Sequence, residues 1–172
     1  YASRDASVAL ANHLIFMKYQ RRDGKMPGMI SCSYPWKGVM PHHDWMQGDF
    51  FSRPALRMSY LIGHDRTYLT LLYEALRDFD AYLWQFRDTD GDGCLETFCV
   101  WDTGLSLSAE LVNGAVRGEG APVGFGDQPF ESAEYMAYSY AQRTTLAEVS
   151  DLLENGEGDL WRARAEEVRR RF

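Results

Sequence analysis

DRTYLTLLYEALRDFDAYLWQF, residues Asp65 to Phe86, decides the fold. Leu69, Leu72, Leu76, Phe79 and Leu83 recur at steps of three and four, which places them on one stripe of a helix. Asp65 stands just ahead of that stripe, where a short oxygen-bearing side chain caps the free amides of a first turn. Upstream, Phe50 to Gly63 reads as a buried helix, with Pro54 tolerated in its first turn and Gly63 at its end.

Working outward, about Arg4 to Arg21 forms a mostly apolar helix carrying Val8, Ala11, Leu14, Ile15 and Met17. Ser3 or Asp5 caps its start and Asp23-Gly24 closes it. From Lys25 to Asp49 no period holds. Pro27, Gly28, Pro35, Gly38 and Pro41 punctuate a long loop that carries Trp36, His42, His43 and Trp45, and loops of that length in compact domains are often functional. On the C-terminal side a glycine-rich link (Gly114, Gly118, Gly120, Gly124, Gly126) leads to a helix from about Glu131 to Leu153. Gly156 and Gly158 break it, and Asp159 caps a last helix. Helices joined by alternately short and long loops pair antiparallel, and no strand alternation of useful length is present. The fold class expected is all-α.

At 172 residues and 45% hydrophobic, the chain is long enough for a single domain, residues 1–172, with a substantial core. It begins at Tyr1 and stops within a helical pattern at Phe172, which predicts a piece of a longer protein. No apolar run reaches the length of a membrane span and no charged n-region precedes one, so no membrane partner is expected. Nothing separates a cytoplasmic from a periplasmic setting. A net charge of −7 argues against nucleic acid. The basic concentration Arg162, Arg164, Arg169, Arg170 and Arg171 is interleaved with Glu166 and Glu167 at helical spacing, the pattern of a solvated face. Cys32, Cys94 and Cys99 lack zinc spacing, and Cys94 and Cys99 read as ordinary buried thiols.

Beyond Phe86 the chain continues Arg87-Asp88-Thr89-Asp90-Gly91-Asp92-Gly93-Cys94-Leu95-Glu96. Carboxylates at alternate positions with glycines among them are the pattern of a Ca²⁺ loop, since Ca²⁺ takes hard oxygen ligands and glycine permits the tight turn. Asp88, Asp90, Asp92 and Gly93 fit positions one, three, five and six of an EF-hand loop. Position twelve is Cys99, so the bidentate glutamate is missing, and Glu96 falls at position nine. The expected ligand set is Asp88, Asp90, Asp92, the Cys94 carbonyl and Glu96. The competing reading is an acidic turn whose aspartates bond their own backbone. Glu131, opening the next helix, either serves the helix start or reaches back to the cation or to a sugar hydroxyl. The adjacent pair His42-His43 lacks the spacing of a shared metal. Trp36, Trp45 and Trp101 fall in irregular segments and, with Gln47 and Asp102, make a polar and aromatic set of the kind that lines a sugar site.

Four segments carry a family likeness: Trp45 to Ala55, the Arg87-to-Glu96 loop, Trp101-Asp102-Thr103-Gly104, and Glu131 to Tyr140. At these residues the chain resembles the α/α-toroid glycosidases that include trehalases and glycoside hydrolase family 63. The resemblance spans about Met26 to Leu153. It implies an (α/α)6 toroid of which this chain supplies roughly half, the remainder of the toroid being its partner. It also implies inverting hydrolysis of an α-glucoside or α-mannoside, with an oligosaccharide or small glycoside as substrate. Such chemistry needs an acid for the leaving oxygen and, across the sugar, a second carboxylate to activate water. The family's base lies far toward the C-terminus, outside this chain. Its acid follows the glycine of an acidic-Ser/Thr-Gly tripeptide by two residues. Asp102-Thr103-Gly104 matches the tripeptide and places Ser106 at the acid position, where a hydroxyl is too weak an acid. Asp102 is therefore the candidate catalytic carboxylate, with Glu110 as a substitute, and Asp102 is also suited to binding a sugar hydroxyl or orienting its loop. Trp36, Trp45, Gln47 and Trp101 are the candidate sugar contacts. Ser106 favours an alternative, a catalytically silent carbohydrate-binding or scaffold toroid.

Overall fold

The computed structural model of the chain describes residues 5–33, 38–43, 51–98, 102 and 130–171. Five helices dominate them: α1 (Ala6–Lys18), α2 (Ser52–Leu61), α3 (Arg66–Phe86), α4 (Ala133–Leu153) and α5 (Gly158–Arg171). Three of the helix starts have a side-chain cap. Asp5 accepts from the Ser7 and Val8 amides at 3.0 and 3.2 Å, Asp65 from Tyr68 at 2.8 Å and Ser132 from Tyr135 at 3.2 Å. The α3 stripe is the heart of the core: Leu72, Leu76, Phe79 and Leu83 are 0% exposed and Leu69 is 1%.

Polar contacts fix the helix directions. Arg66 reaches the Leu153 carbonyl, Asp80 pairs with Arg143 and Trp84 donates to Ser139, so α3 and α4 are antiparallel. Arg162 meets Asp151 across the Glu154–Glu157 link, so α5 returns against α4. Tyr68 donates to the Ala55 carbonyl across the Ile62–Asp65 turn, which sets α2 against α3. His13 faces Tyr68 and Gln20, just past α1, donates to the Ala75 carbonyl, so α1 runs with α3. One set, α2 and α4, therefore points one way, and α1, α3 and α5 point the other.

Two apolar clusters fill the space between them. The first joins Ala55, Leu56, Met58, Leu69, Leu72, Leu146, Val149 and Trp161. The second joins Met26, Phe79, Leu83, Leu95, Tyr135, Met136 and Val168, and by taking Leu95 it pins the acidic loop to the helix ends. No α1 residue is fully buried; Ala9, Leu10, Leu14 and Met17 pack half-buried on the first cluster.

The all-α class holds for the bulk of the described residues, with two small additions. Strands β1 (Met29–Ser33) and β2 (Gly38–His42) pair antiparallel, Ile30 opposite Pro41, inside the stretch expected to be plain loop. β3 (Glu96–Thr97) and β4 (Phe130–Glu131) pair antiparallel, Glu96 opposite Glu131. Each is a two-stranded ribbon, too short to give a legible alternation. Cys32 is exposed and Cys94 half-exposed, which corrects the reading of Cys94 as an ordinary buried thiol. Among the described residues no helix is long and apolar enough to cross a membrane.

Candidate functional site

The acidic loop leaves the C-terminal end of α3 and returns to the N-terminal end of α4. Its base is closed by the Glu96 amide on the Arg87 carbonyl at 2.6 Å and by the Ser132 amide on the Leu95 carbonyl at 2.8 Å. Glycine is required where the chain turns, because Gly91 and Gly93 sit at φ 76° and 84°. At Gly93 a Cβ would also stand 2.5 Å from the Arg171 guanidinium carbon, and Arg171 donates to the Asp92 carbonyl. Each aspartate spends one oxygen on a nearby amide: Asp88 on Gly93 (3.3 Å), Asp90 on Asp92 (3.2 Å) and Asp92 on Cys94 (2.7 Å).

Two groups of side chains come close enough to share a cation. Asp88, Asp90 and Asp92 each bring a carboxylate oxygen within 4.8 Å of the others, and Asp92, Cys94 and Glu131 do the same with two carboxylates and a thiol. Burial, then the Asp92 and Glu131 carboxylates, push the Cys94 thiol pKa up, the sign expected of a negatively charged corner. The expected ligand Glu96 stands apart from both groups. It is 6% exposed, and its Oε2 accepts from the Thr89 amide at 3.0 Å and hydroxyl at 2.6 Å. Glu96 thus ties the loop to itself, while the β3–β4 pairing brings Glu131 to the rim.

Asp102 is 1% exposed and anchored from several sides. Arg87, 7% exposed, bonds it at 2.6 and 3.4 Å. The Phe98 amide donates to its Oδ2 at 2.9 Å, and the Tyr135 hydroxyl to its carbonyl at 2.9 Å. The Arg87 guanidinium also lies 4.4 Å over the Phe98 ring. Lys25, 8% exposed, sits in the same neighbourhood; burial first, then Arg87 and Arg21, lower its pKa. A carboxylate held this way serves as a fixed hydrogen-bond acceptor that locks residues 98 and 102 to the end of α3. Its own oxygens meet Arg87 and Phe98, and its backbone meets α4.

Trp36, Trp45, Gln47, Trp101, Cys99, Ser106 and Glu110 lie outside the described residues. His42 bonds the Ser31 hydroxyl at 2.8 Å and His43 the Tyr19 carbonyl at 3.0 Å. Sequence reasoning did not single out Arg87, Lys25 or Tyr135. Only Arg87 carried a signal, as the basic residue that opens the acidic run. No family model, curated protein or solved structure matches the chain at a significant level.

Proposed function

We propose that the chain is part of an α/α-toroid glycosidase-like domain that binds an oligosaccharide or small glycoside, with the acidic loop holding a structural Ca²⁺. The observation that carries this reading is the placement of the acidic loop and Asp102 at one end of the α3–α4 pair, bolted together by Arg87. The alternating helix directions support it, since a toroid needs one set of parallel helices lined by a second, opposed set.

Asp88, Asp90 and Asp92 offer the hard oxygen donors that suit Ca²⁺, with Glu131 as a fourth carboxylate at the rim. The ion would supply positive charge to a crowded set of carboxylates and hold the loop's shape. Glu96 and Thr89 fix the loop from inside. Trp101, a candidate sugar contact, adjoins Asp102 in sequence. Hydrolysis requires an acid and a base on opposite faces of the sugar. In this chain Asp102 is the candidate catalytic carboxylate, and its bonds to Arg87 and Phe98 equally suit it to orient its loop.

Ser106 at the acid position and the engagement of Asp102 by Arg87 favour a second reading, a silent carbohydrate-binding toroid. Turnover of α-glucosides and α-mannosides, paired with binding calorimetry on the same compounds, decides between them. Turnover abolished by Asp102→Asn with the fold retained supports the hydrolase. Binding without turnover supports the silent toroid, and neither binding nor turnover refutes both.

A further inference from the structure

Arg164 and Arg171 part company with Arg162 and Arg169 of α5. Arg162 is paired with Asp151 and Asp159, and Arg169 with Glu166, all at the surface, as a solvated helix face requires. Arg164 and Arg171, themselves exposed, line a cleft of about 470 Å³ bounded by α3, α5 and Gly93 of the acidic loop, together with Arg77, Trp84 and the buried Arg143 of α4. Four guanidiniums meet two carboxylates there, Asp80 and Glu167, in a chain whose overall charge is −7.

The distribution of bonding capacity matters more than the count. Asp80 is consumed by Arg143 at 2.8 and 3.1 Å, and a third Arg143 donor meets the Arg164 carbonyl at 3.1 Å. The Arg143 guanidinium also lies over the Trp84 ring at 4.4 Å, so, held by Asp80 as well, it is a fixed positive floor. Arg164 lies over the buried Trp161 ring at 4.8 Å, and its five donors make no hydrogen bond among the described residues. Arg77 is steadied by Asp78 at 2.9 Å, and Arg171 by the Asp92 carbonyl. Ala81, Val168 and Trp84 give the wall between these charges an apolar surface. Guanidinium forks gathered around a partly apolar cleft match a tetrahedral oxyanion carrying more than one charge.

We propose that the α3–α5 cleft binds a phosphate dianion, free or as the head group of a small organic ester, with Arg164 as its principal contact and Arg77 and Arg171 flanking it. The cleft adjoins the acidic loop through Gly93 and the Arg171 bond to the Asp92 carbonyl, so calcium is kept out of its test, and the site does not rest on the glycosidase reading. Titration calorimetry in calcium-free buffer at constant ionic strength tests it, using inorganic phosphate and phenyl phosphate as separate probes. Saturable binding of both with phenyl phosphate tighter assigns the site to esters, and equal binding assigns it to free phosphate. Arg164→Gln, an exposed change, is expected to weaken binding roughly tenfold, the loss of charge-assisted hydrogen bonds. Arg77→Gln is expected to weaken it less, and Arg169→Gln, outside the cleft, to leave it unchanged. Absence of saturable binding by either probe overturns the proposal. So does an Arg169→Gln loss equal to that of Arg164→Gln in variants with unchanged melting temperatures, since general charge attraction then explains the heat.

Discussion

Arg87→Met strips the buried Asp102 carboxylate of its guanidinium while roughly keeping the volume of the side chain. Both partners are nearly inaccessible, 8% and 2% exposed at the side chain, and their closest approach is 2.6 Å. Removing one partner of such a pair leaves an uncompensated buried charge and costs about 3–5 kcal/mol. With a slope of about 2 kcal/mol per molar urea, the unfolding midpoint falls by roughly 1.5–2.5 M. Arg53–Glu148 provides the control within the same molecule. Its N–O distance is also 2.6 Å, but its side chains are 44% and 46% exposed. Solvent screens that pair, so Arg53→Met costs under about 1 kcal/mol and moves the midpoint by less than roughly 0.5 M. The double variant Arg87→Met/Asp102→Leu should regain at least half of the single variant's loss, because the orphaned charge is gone. Equilibrium urea unfolding followed by tryptophan fluorescence measures all of these. Equal midpoint shifts for Arg87→Met and Arg53→Met would refute the argument, because burial would then make no difference.

Gly24→Ala is expected to cost about 2–4 kcal/mol: φ is +93°, and the new Cβ would stand 2.0 Å from the Asp78 carbonyl oxygen, a clash with α3 backbone that no side-chain movement relieves. A melting temperature within a degree of the parent would contradict that. Burial lowers the His13 pKa below its ordinary value, so the unfolded chain binds the proton first as pH falls. Its contribution to stability is therefore intact above about pH 6.5 and drains away as pH drops through the lowered folded value. Melting temperatures between pH 5 and 7.5 should fall less steeply toward acid for His13→Asn than for the parent, and parallel curves would dismiss His13 as the source.

Periodicity made α3 legible because Leu69, Leu72, Leu76, Phe79 and Leu83 run unbroken along one face, and α4 and α5 fell within a few residues of their expected bounds. What it missed has no period to show. Arg87 and Asp102 are 15 residues apart and Asp80 and Arg143 are 63 apart, so only the assembled fold makes those pairs. Lys25 carries the long loop's first charge, yet folding buries it beside Arg87. The β1–β2 ribbon escaped notice because Gly38 and Pro41 read as turn residues, whereas a two-stranded edge tolerates both. Counting along the acidic loop put Glu96 among the ligands. In the fold its carboxylate bonds Thr89, and strand pairing places Glu131, 35 positions further on, near Asp92 and Cys94. The arginines of α5 look alike in sequence, and only packing against α3 separates Arg164 and Arg171 from the solvated pairs.

Calcium binding itself is the most direct test of the acidic loop's assignment. Protein stripped with EGTA and titrated with Ca²⁺ in a calorimeter should show a single saturable event and a higher melting temperature when loaded. Asp90→Asn, which removes one charge from the Asp88, Asp90 and Asp92 group, should weaken that event roughly tenfold or more. A flat titration, together with a melting temperature that EGTA and Ca²⁺ leave unmoved, would mean that the loop is an acidic turn held by its own backbone bonds.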